Sequence, residues 1–290
     1  MELNPGVFLG LGPCTLGGVN VPVCTTTGNL NQRRVLSLSG ENNPSAALIG
    51  NLDSHAAVGT QTYRGLKLSF QRRSATGISL NGNYTWSRCF GLEMPTGAQF
   101  GIGFVDPSNP DYDRGHCDQD RTHLANFTVG AQTPVFGNAA LRTVASNWRV
   151  SGILNARSGS WLTVTSGRDN AFNGMSNQHV DQVSDDVYGT KTLTNFLNPA
   201  AFAQPAAGKF GTHQRNSIKG PGFWKVDLAL SRLVSLAVTR NIELRLEVFN
   251  LFNTFNWGLP NTNFASGTFG RITTLTGDPR IMQFGTKYGF

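Results

Sequence analysis

A chain of 290 residues is long enough for one large domain or two ordinary ones, so size sets no limit on the core. Only 14% of its residues are charged, against the quarter or so usual in globular domains, and 34 are glycine, a balance that disfavours a heavily charged soluble surface and long helices and suits many strands. A net charge of +7 does not make it a nucleic-acid binder, because its 24 Lys and Arg are spread out, with Arg33-Arg34 and Arg72-Arg73 as short pairs and no basic block among stacking aromatics.

No apolar stretch approaches the roughly 18 residues of a membrane-crossing helix, so any crossing of a bilayer falls to strands. Met1-Glu2-Leu3-Asn4-Pro5 carries neither a basic n-region nor an apolar h-region, so no secretory signal is expected in these first residues. The reading is therefore the C-terminal part of a longer protein. Of the three ways to pair Cys14, Cys24, Cys89 and Cys117, the sequential one is expected, because both bonds would then staple long exposed loops. That implies an oxidising compartment, and no spacing matches a zinc site.

Residues 1 to about 61 read as an extracellular loop-like region, with a strand extension over Arg33 to Ser39. From Thr62 onward, 62–290 reads as barrel. Leu66, Leu68 and Phe70 alternate with Lys67, Ser69 and Gln71; after a turn through Arg72-Arg73-Ser74-Ala75-Thr76-Gly77, Ile78, Leu80, Tyr84 and Trp86 alternate with Ser79, Asn81, Asn83 and Thr85. This is an amphipathic hairpin. Cys89 to Asp120 is irregular, Arg121 to Gln132 is a strand, and a turn region spans Pro134 to Ser146. Trp148, Val150, Gly152, Leu154 and Ala156 then alternate with Arg149, Ser151, Asn155 and Arg157, and the strand is expected to run on through Trp161 to Thr165. After a very long connection, Ser166 to Gly222, come strands on Trp224, Val226, Leu228 and Leu230 and on Ile242, Leu244, Leu246 and Val248, with a short turn between them. A third long connection, Thr254 to Gly277, leads into the last strand, Asp278 to Phe290, where Met282, Phe284, Thr286, Tyr288 and Phe290 share a face.

The count is seven strands, with connections that run short, long, medium, very long, short and long. Outer-membrane barrels have short periplasmic turns and long extracellular loops, and placing Phe290 at the periplasmic end puts every long connection outside. The apolar faces carry almost no charge, whereas Arg149, Lys225, Asp227, Glu243, Arg245 and Glu247 all fall on the polar face, as lumen-facing charges able to pair across neighbouring strands. Trp86, Trp148, Trp161, Trp224 and Trp257 lie near strand ends, where aromatic belts form.

Tyr84-Thr85-Trp86-Ser87-Arg88-Cys89, Asp113-Arg114-Gly115-His116-Cys117-Asp118, Trp148 to Ile153, Asn198 to Phe202, Asn216 to Gly222, Glu247 to Asn253 and Gly277 to Phe290, in this order, resemble the C-terminal barrel of Oar-like TonB-dependent receptors, from about residue 29 to the end. The resemblance implies a parent barrel of about 22 strands closed around an N-terminal plug, of which these strands are the last third. It also implies energised uptake driven through TonB acting on the plug, an unknown extracellular substrate, contact with outer-membrane lipid, and no cofactor. The closing strand, with Phe284, Tyr288 and Phe290, would be the segment read by the barrel-assembly machinery.

Other chemistries find little footing. The run Asp106, Asp111, Asp113, Asp118 and Asp120, with His116 and His123, lacks the Gly and terminal Glu of a calcium loop, so no metal site is assigned. Gly101-Ile102-Gly103 lacks the third Gly of a dinucleotide site, and no Gly-x-Ser-x-Gly elbow occurs. Glu243 and Glu247 read as lumen charges rather than a glycosidase pair. No catalytic residue is assigned. The expectation is an all-β, antiparallel, partial transmembrane barrel in the outer membrane; the alternatives are a secreted β-sandwich adhesin or carbohydrate-binding protein, and a hydrolase on a β scaffold.

Overall fold

The structure, a computed structural model, describes residues 1–39, 44–73, 77–93, 103–237 and 240–290. The turn residues Ser74, Ala75 and Thr76, and Gly101-Ile102, lie outside the described residues. Seven long strands form one antiparallel sheet in strict chain order: β1 (Thr60–Arg73), β2 (Ile78–Leu92), β3 (His123–Gln132), β4 (Trp148–Arg157), β5 (Phe223–Ser235), β6 (Asn241–Phe249) and β7 (Ile281–Gly289), and the short strand Arg114–His116 adds to it beside the end of β2. The sheet is not closed, and β1 and β7 are its edges.

The register decides what each face carries. Leu80, Val129, Gly152, Leu228, Val248 and Met282 stand opposite one another in an unbroken row from β2 to β7. On the other face Ser69, Asn83, Asn126, Asn155 and Lys225 form a comparable row from β1 to β5. Because side chains alternate, a slip of one residue in any strand would interchange these rows locally. The face that carries this row is largely open, with Leu68 and Trp86 55% exposed and Phe284 80%, although Val248 within the row is buried. Gly82 fits the same logic, since the Phe127 ring of β3 lies 2.6 Å from where a Cβ would stand.

On β5 the apolar face runs from Trp224 to Val234, about 33 Å at roughly 3.3 Å per residue. With a strand tilt of about 40° this covers about 25 Å, the height of the apolar band of a transmembrane barrel. Arg232, the charged residue within that stretch, lays its guanidinium over the Trp148 ring at 5.3 Å near the inner end. Such a placement lets the stem stay in apolar surroundings while the charge finds a polarisable partner.

The described residues of the connections 93–122, 158–222 and 250–280, and of 1–59, lie at one end of the sheet; those of the short connections, and Phe290, lie at the other. The described residues of the long connections are folded rather than structureless. Arg33 to Ser39 is not a strand but a 3-10 turn followed by the helix α1 (Val35–Ser39), because Asn4 Oδ1 takes the Leu36 N–H and Arg33 and Arg34 turn inward to backbone carbonyls. β4 stops at Arg157, where Gly159 is pressed against the Gly220 backbone and the chain leaves the sheet, so Trp161-Leu162 pairs instead with Ile218-Lys219. The connection 133–147 contains the helix α2 (Ala139–Ala145), capped by the Asn138 side chain. Among the described residues no second sheet faces the apolar side, so the β-sandwich alternative is not favoured.

Val129→Arg places a charge in the middle of the exposed apolar row and is expected to cost about 2–4 kcal/mol in urea unfolding from lipid vesicles, whereas Thr128→Arg on the opposite face costs under about 1 kcal/mol. Equal losses for the two would contradict the assignment of faces.

Candidate functional site

The main hydrophobic cluster lies above the sheet, in the long connections. Leu162, Val164, Val180, Leu197, Phe202 and Ile218 are buried together, with Trp257, Phe264 and Phe269 packed around them. Short ladders frame this layer: Tyr188–Thr192 with Asn195–Leu197, and Asp181–Gln182 with Phe202–Ala203. Trp257 therefore belongs to this core, not to a belt at a strand end.

Polar side chains do most of the joining. The buried Arg33 donates to the carbonyls of Val7, Thr26 (2.9 Å) and Phe172 (3.2 Å), binding the N-terminal segment to the 158–222 connection. Arg215 donates to the Glu93 carbonyl and to Asp118 Oδ1 (3.1 Å), and Asn216 Nδ2 donates to the His116 carbonyl (2.7 Å) and to Asp118 Oδ1 (2.7 Å). Two of the motifs quoted above, Asp113 to Asp118 and Asn216 to Gly222, thus meet across the layer. Asn250, in the left-handed region at φ 52°, caps the outer end of β6 and donates to the Thr254 and Asp278 carbonyls, closing the base of the third loop.

The sequential disulfides are present: Cys14–Cys24 in the N-terminal segment and Cys89–Cys117 between the end of β2 and the next loop. Phe284 and Tyr288 stand exposed on the apolar face of β7, and the terminal Phe290 ring lies 6.2 Å from that of Tyr288. Arg149, Lys225, Asp227, Glu243, Arg245 and Glu247 are on the opposite face. Their pairing differs from expectation. Lys225 bonds Asp227 at 2.9 Å and Arg245 bonds Glu247 at 3.0 Å, each along its own strand, because residues two apart share a face; these contacts do not cross between strands. Asp227 also accepts the Asn250 N–H at 2.8 Å, so it anchors the turn as well as lining the face.

The acidic run disperses into separate partners. Asp106 takes the Ser108 N–H and hydroxyl, Asp111 pairs with Arg114 at 2.6 Å, and Asp120 accepts from His116 Nδ1 (2.7 Å) and Trp161 Nε1 (3.1 Å). Among the described residues no three His, Cys, Asp or Glu converge as metal ligands. The roles of Arg33, Asn216 and Asn250 carry no periodic sequence signal.

One buried cluster couples two loops. Asp113 accepts the Val105 N–H at 2.6 Å and lies 3.5 Å from His179 Nε2; His179 Nδ1–H donates to the His213 carbonyl at 2.9 Å, and Tyr112 stacks on the His179 ring. A carbonyl only accepts, so neutral His179 holds its proton on Nδ1 and turns a lone pair toward Asp113. Burial pushes the Asp113 carboxyl up to about 6, with the Val105 N–H and Arg215 partly opposing it. Burial also lowers His179 to about 4, with His213 adding to the effect, and lowers His213 to about 4. Burial, reinforced by Asp113, raises the Tyr112 phenol.

Six strands of matched register, one uncovered apolar face, short turns at one end and a folded loop layer at the other define an outer-membrane β-barrel wall when the seventh strand is added. The chain belongs to the outer membrane beta barrel domain family, whose model matches residues 5–283, and it resides in the outer membrane. Among curated proteins none matches it.

Between about pH 4 and 6, unfolded loops would hold two imidazole protons that the folded layer excludes, while folded Asp113 keeps one proton that the unfolded chain has lost. Unfolding therefore takes up one net proton, and loop-layer stability falls by about 1.4 kcal/mol per pH unit on acidification through this window. His213→Phe removes one of the two imidazoles and should flatten that slope, as read by amide hydrogen exchange of the loops. Cys89→Ser with Cys117→Ser opens a loop of 28 residues and should cost about 3–4 kcal/mol of loop stability in the same measurement.

Proposed function

We propose that the chain is the C-terminal wall and outer loop layer of a TonB-dependent receptor of the Oar-like kind, which carries a substrate from outside the cell into the periplasm. The observation that carries this reading is the combination of an open wall with a loop layer that has its own core. Seven strands are fewer than the eight of the smallest closed barrels, so the wall needs further strands against β1 and β7. The loop layer, built on Leu162, Val164 and Phe202, is a surface of fixed shape at the outer end, as a receptor requires. The ordered motifs from Tyr84 to Phe290 add the likeness to the receptor family.

In this reading the chain is not an enzyme. The loop layer meets the substrate, lipid meets the apolar face, and the proton gradient acts through TonB on a plug held inside the completed barrel. β7, whose Phe284, Tyr288 and Phe290 stand free on the apolar side, presents itself to the barrel-assembly machinery. The polar row from Ser69 to Lys225 faces the plug or the water around it.

The uptake reading is tested by cross-linking in cells: the surface-exposed parent receptor is expected to be captured with the periplasmic domain of TonB. A receptor that reaches the surface but gives no such cross-link would end the TonB assignment and leave the barrel standing. A second experiment addresses β7. Phe290→Ser combined with Phe284→Ser should lower the amount reaching the surface several-fold with synthesis unchanged, read by surface labelling against total protein; undiminished surface labelling would remove the assembly role.

A further inference from the structure

At the outer rim of the wall, where the apolar face of β1 and β2 gives way to the loops, a cleft of about 740 Å³ opens. Arg64 of β1 stands directly opposite Arg88 of β2 in the register, and both belong to the outward series that continues as Leu66 and Trp86. Like charges directly opposed across an antiparallel pair destabilise it. Among the described residues neither arginine has an acidic partner, although Arg88 lies over the Phe90 ring at 5.4 Å. A third cation, Lys219, reaches in from the loop layer, with its Nζ 4.8 Å from the Trp161 ring centre and donating to Thr122 Oγ1 at 3.0 Å.

The wall of the cleft is held in place. Trp161 stacks on His116 at 3.7 Å between ring centres, and both rings donate to Asp120, which is 3% exposed and sits behind them. One oxygen of that carboxylate, Oδ2, takes both ring bonds and orients the rings, while Arg64, Arg88 and Lys219 all line the same cleft. Immediately toward the membrane, Leu66 and Trp86 offer exposed apolar surface.

We propose that this cleft binds the phosphate of an anionic lipid of the outer leaflet, with Arg64, Arg88 and Lys219 around the headgroup and Leu66 and Trp86 against the first part of an acyl chain. A phosphate monoester brings up to two charges and three acceptor oxygens, which matches two guanidinium groups and an ammonium better than a carboxylate does. The position decides the source. A soluble anion has no use for the apolar strip below the cations, whereas an amphiphile fills both halves at once. The inference needs the membrane placement of the wall and does not depend on the uptake role.

The test uses the protein extracted from outer membranes, offered diphosphorylated lipid A, the same lipid dephosphorylated, or inorganic phosphate, with bound lipid read by native mass spectrometry. Wild type is expected to retain the phosphorylated lipid over the dephosphorylated one by about tenfold or more, the scale of a charge-assisted contact. Arg64→Gln with Arg88→Gln should abolish that preference, and Lys219→Gln, which leaves the strand pair intact, should weaken it several-fold. Lys67→Gln, on the other face of β1, should leave it unchanged. Equal retention of the two lipids by wild type, or an undiminished preference in Lys219→Gln should the double variant fail to insert, would overturn the proposal. So would displacement of the lipid by inorganic phosphate at equal concentration, which would make this a soluble-anion site.

Discussion

Inside a bilayer no water is available to satisfy a backbone amide, so every N–H and C=O at that depth must find a neighbouring strand. This requirement fixes most of what is seen here. It favours seven strands in simple chain order, each bonded to the strand before it, and it makes the outer edges of β1 and β7 places where the wall is unfinished. It also makes register the variable that matters, because pairing sets which side chains share a face. The apolar row from Leu80 to Met282 exists only because five successive pairings keep the same parity.

The two halves of the molecule use different physics. In the wall, apolar side chains remain uncovered and cohesion comes from the backbone ladder. In the loop layer, apolar side chains are gathered around Val164 and Val180, as in a water-soluble domain, and polar side chains bridge segments far apart in sequence. Arg33, Arg215, Asn216 and Asn250 each tie two or more carbonyls or carboxylates into place. A buried donor left without a partner there would cost about 1–3 kcal/mol, so these residues define the loop conformation as firmly as the core does.

The wall was legible in the sequence because period two is a direct record of a two-faced strand, clear in Leu66, Leu68 and Phe70 or in Trp224, Val226 and Leu228. The loop layer was much less so. A bond from Asn216 to a carbonyl a hundred positions away leaves no local periodicity, and a short helix such as Val35–Ser39 is set by what Asn4 and the buried arginines do rather than by its own propensity. The same limit explains Trp161: its apolar and aromatic neighbours continue the look of β4, yet close packing of Gly159 on Gly220 takes the chain out of the sheet. The rim cleft leaves a trace in the sequence. Arg64 and Arg88 interrupt the outward apolar series at matching heights on paired strands, and only the register shows that the two interruptions coincide.

The bond between Cys89 and Cys117 joins the far end of β2 to the loop that follows it. The bacterial periplasm is oxidising, so this bond can close before the polypeptide enters the lipid. What then has to pass to the outside is a tied ring rather than a limp thread, with polar backbone already folded upon itself. Whatever route it takes must open wide enough for a bundle, and the hairpins of the wall can zip up only behind it.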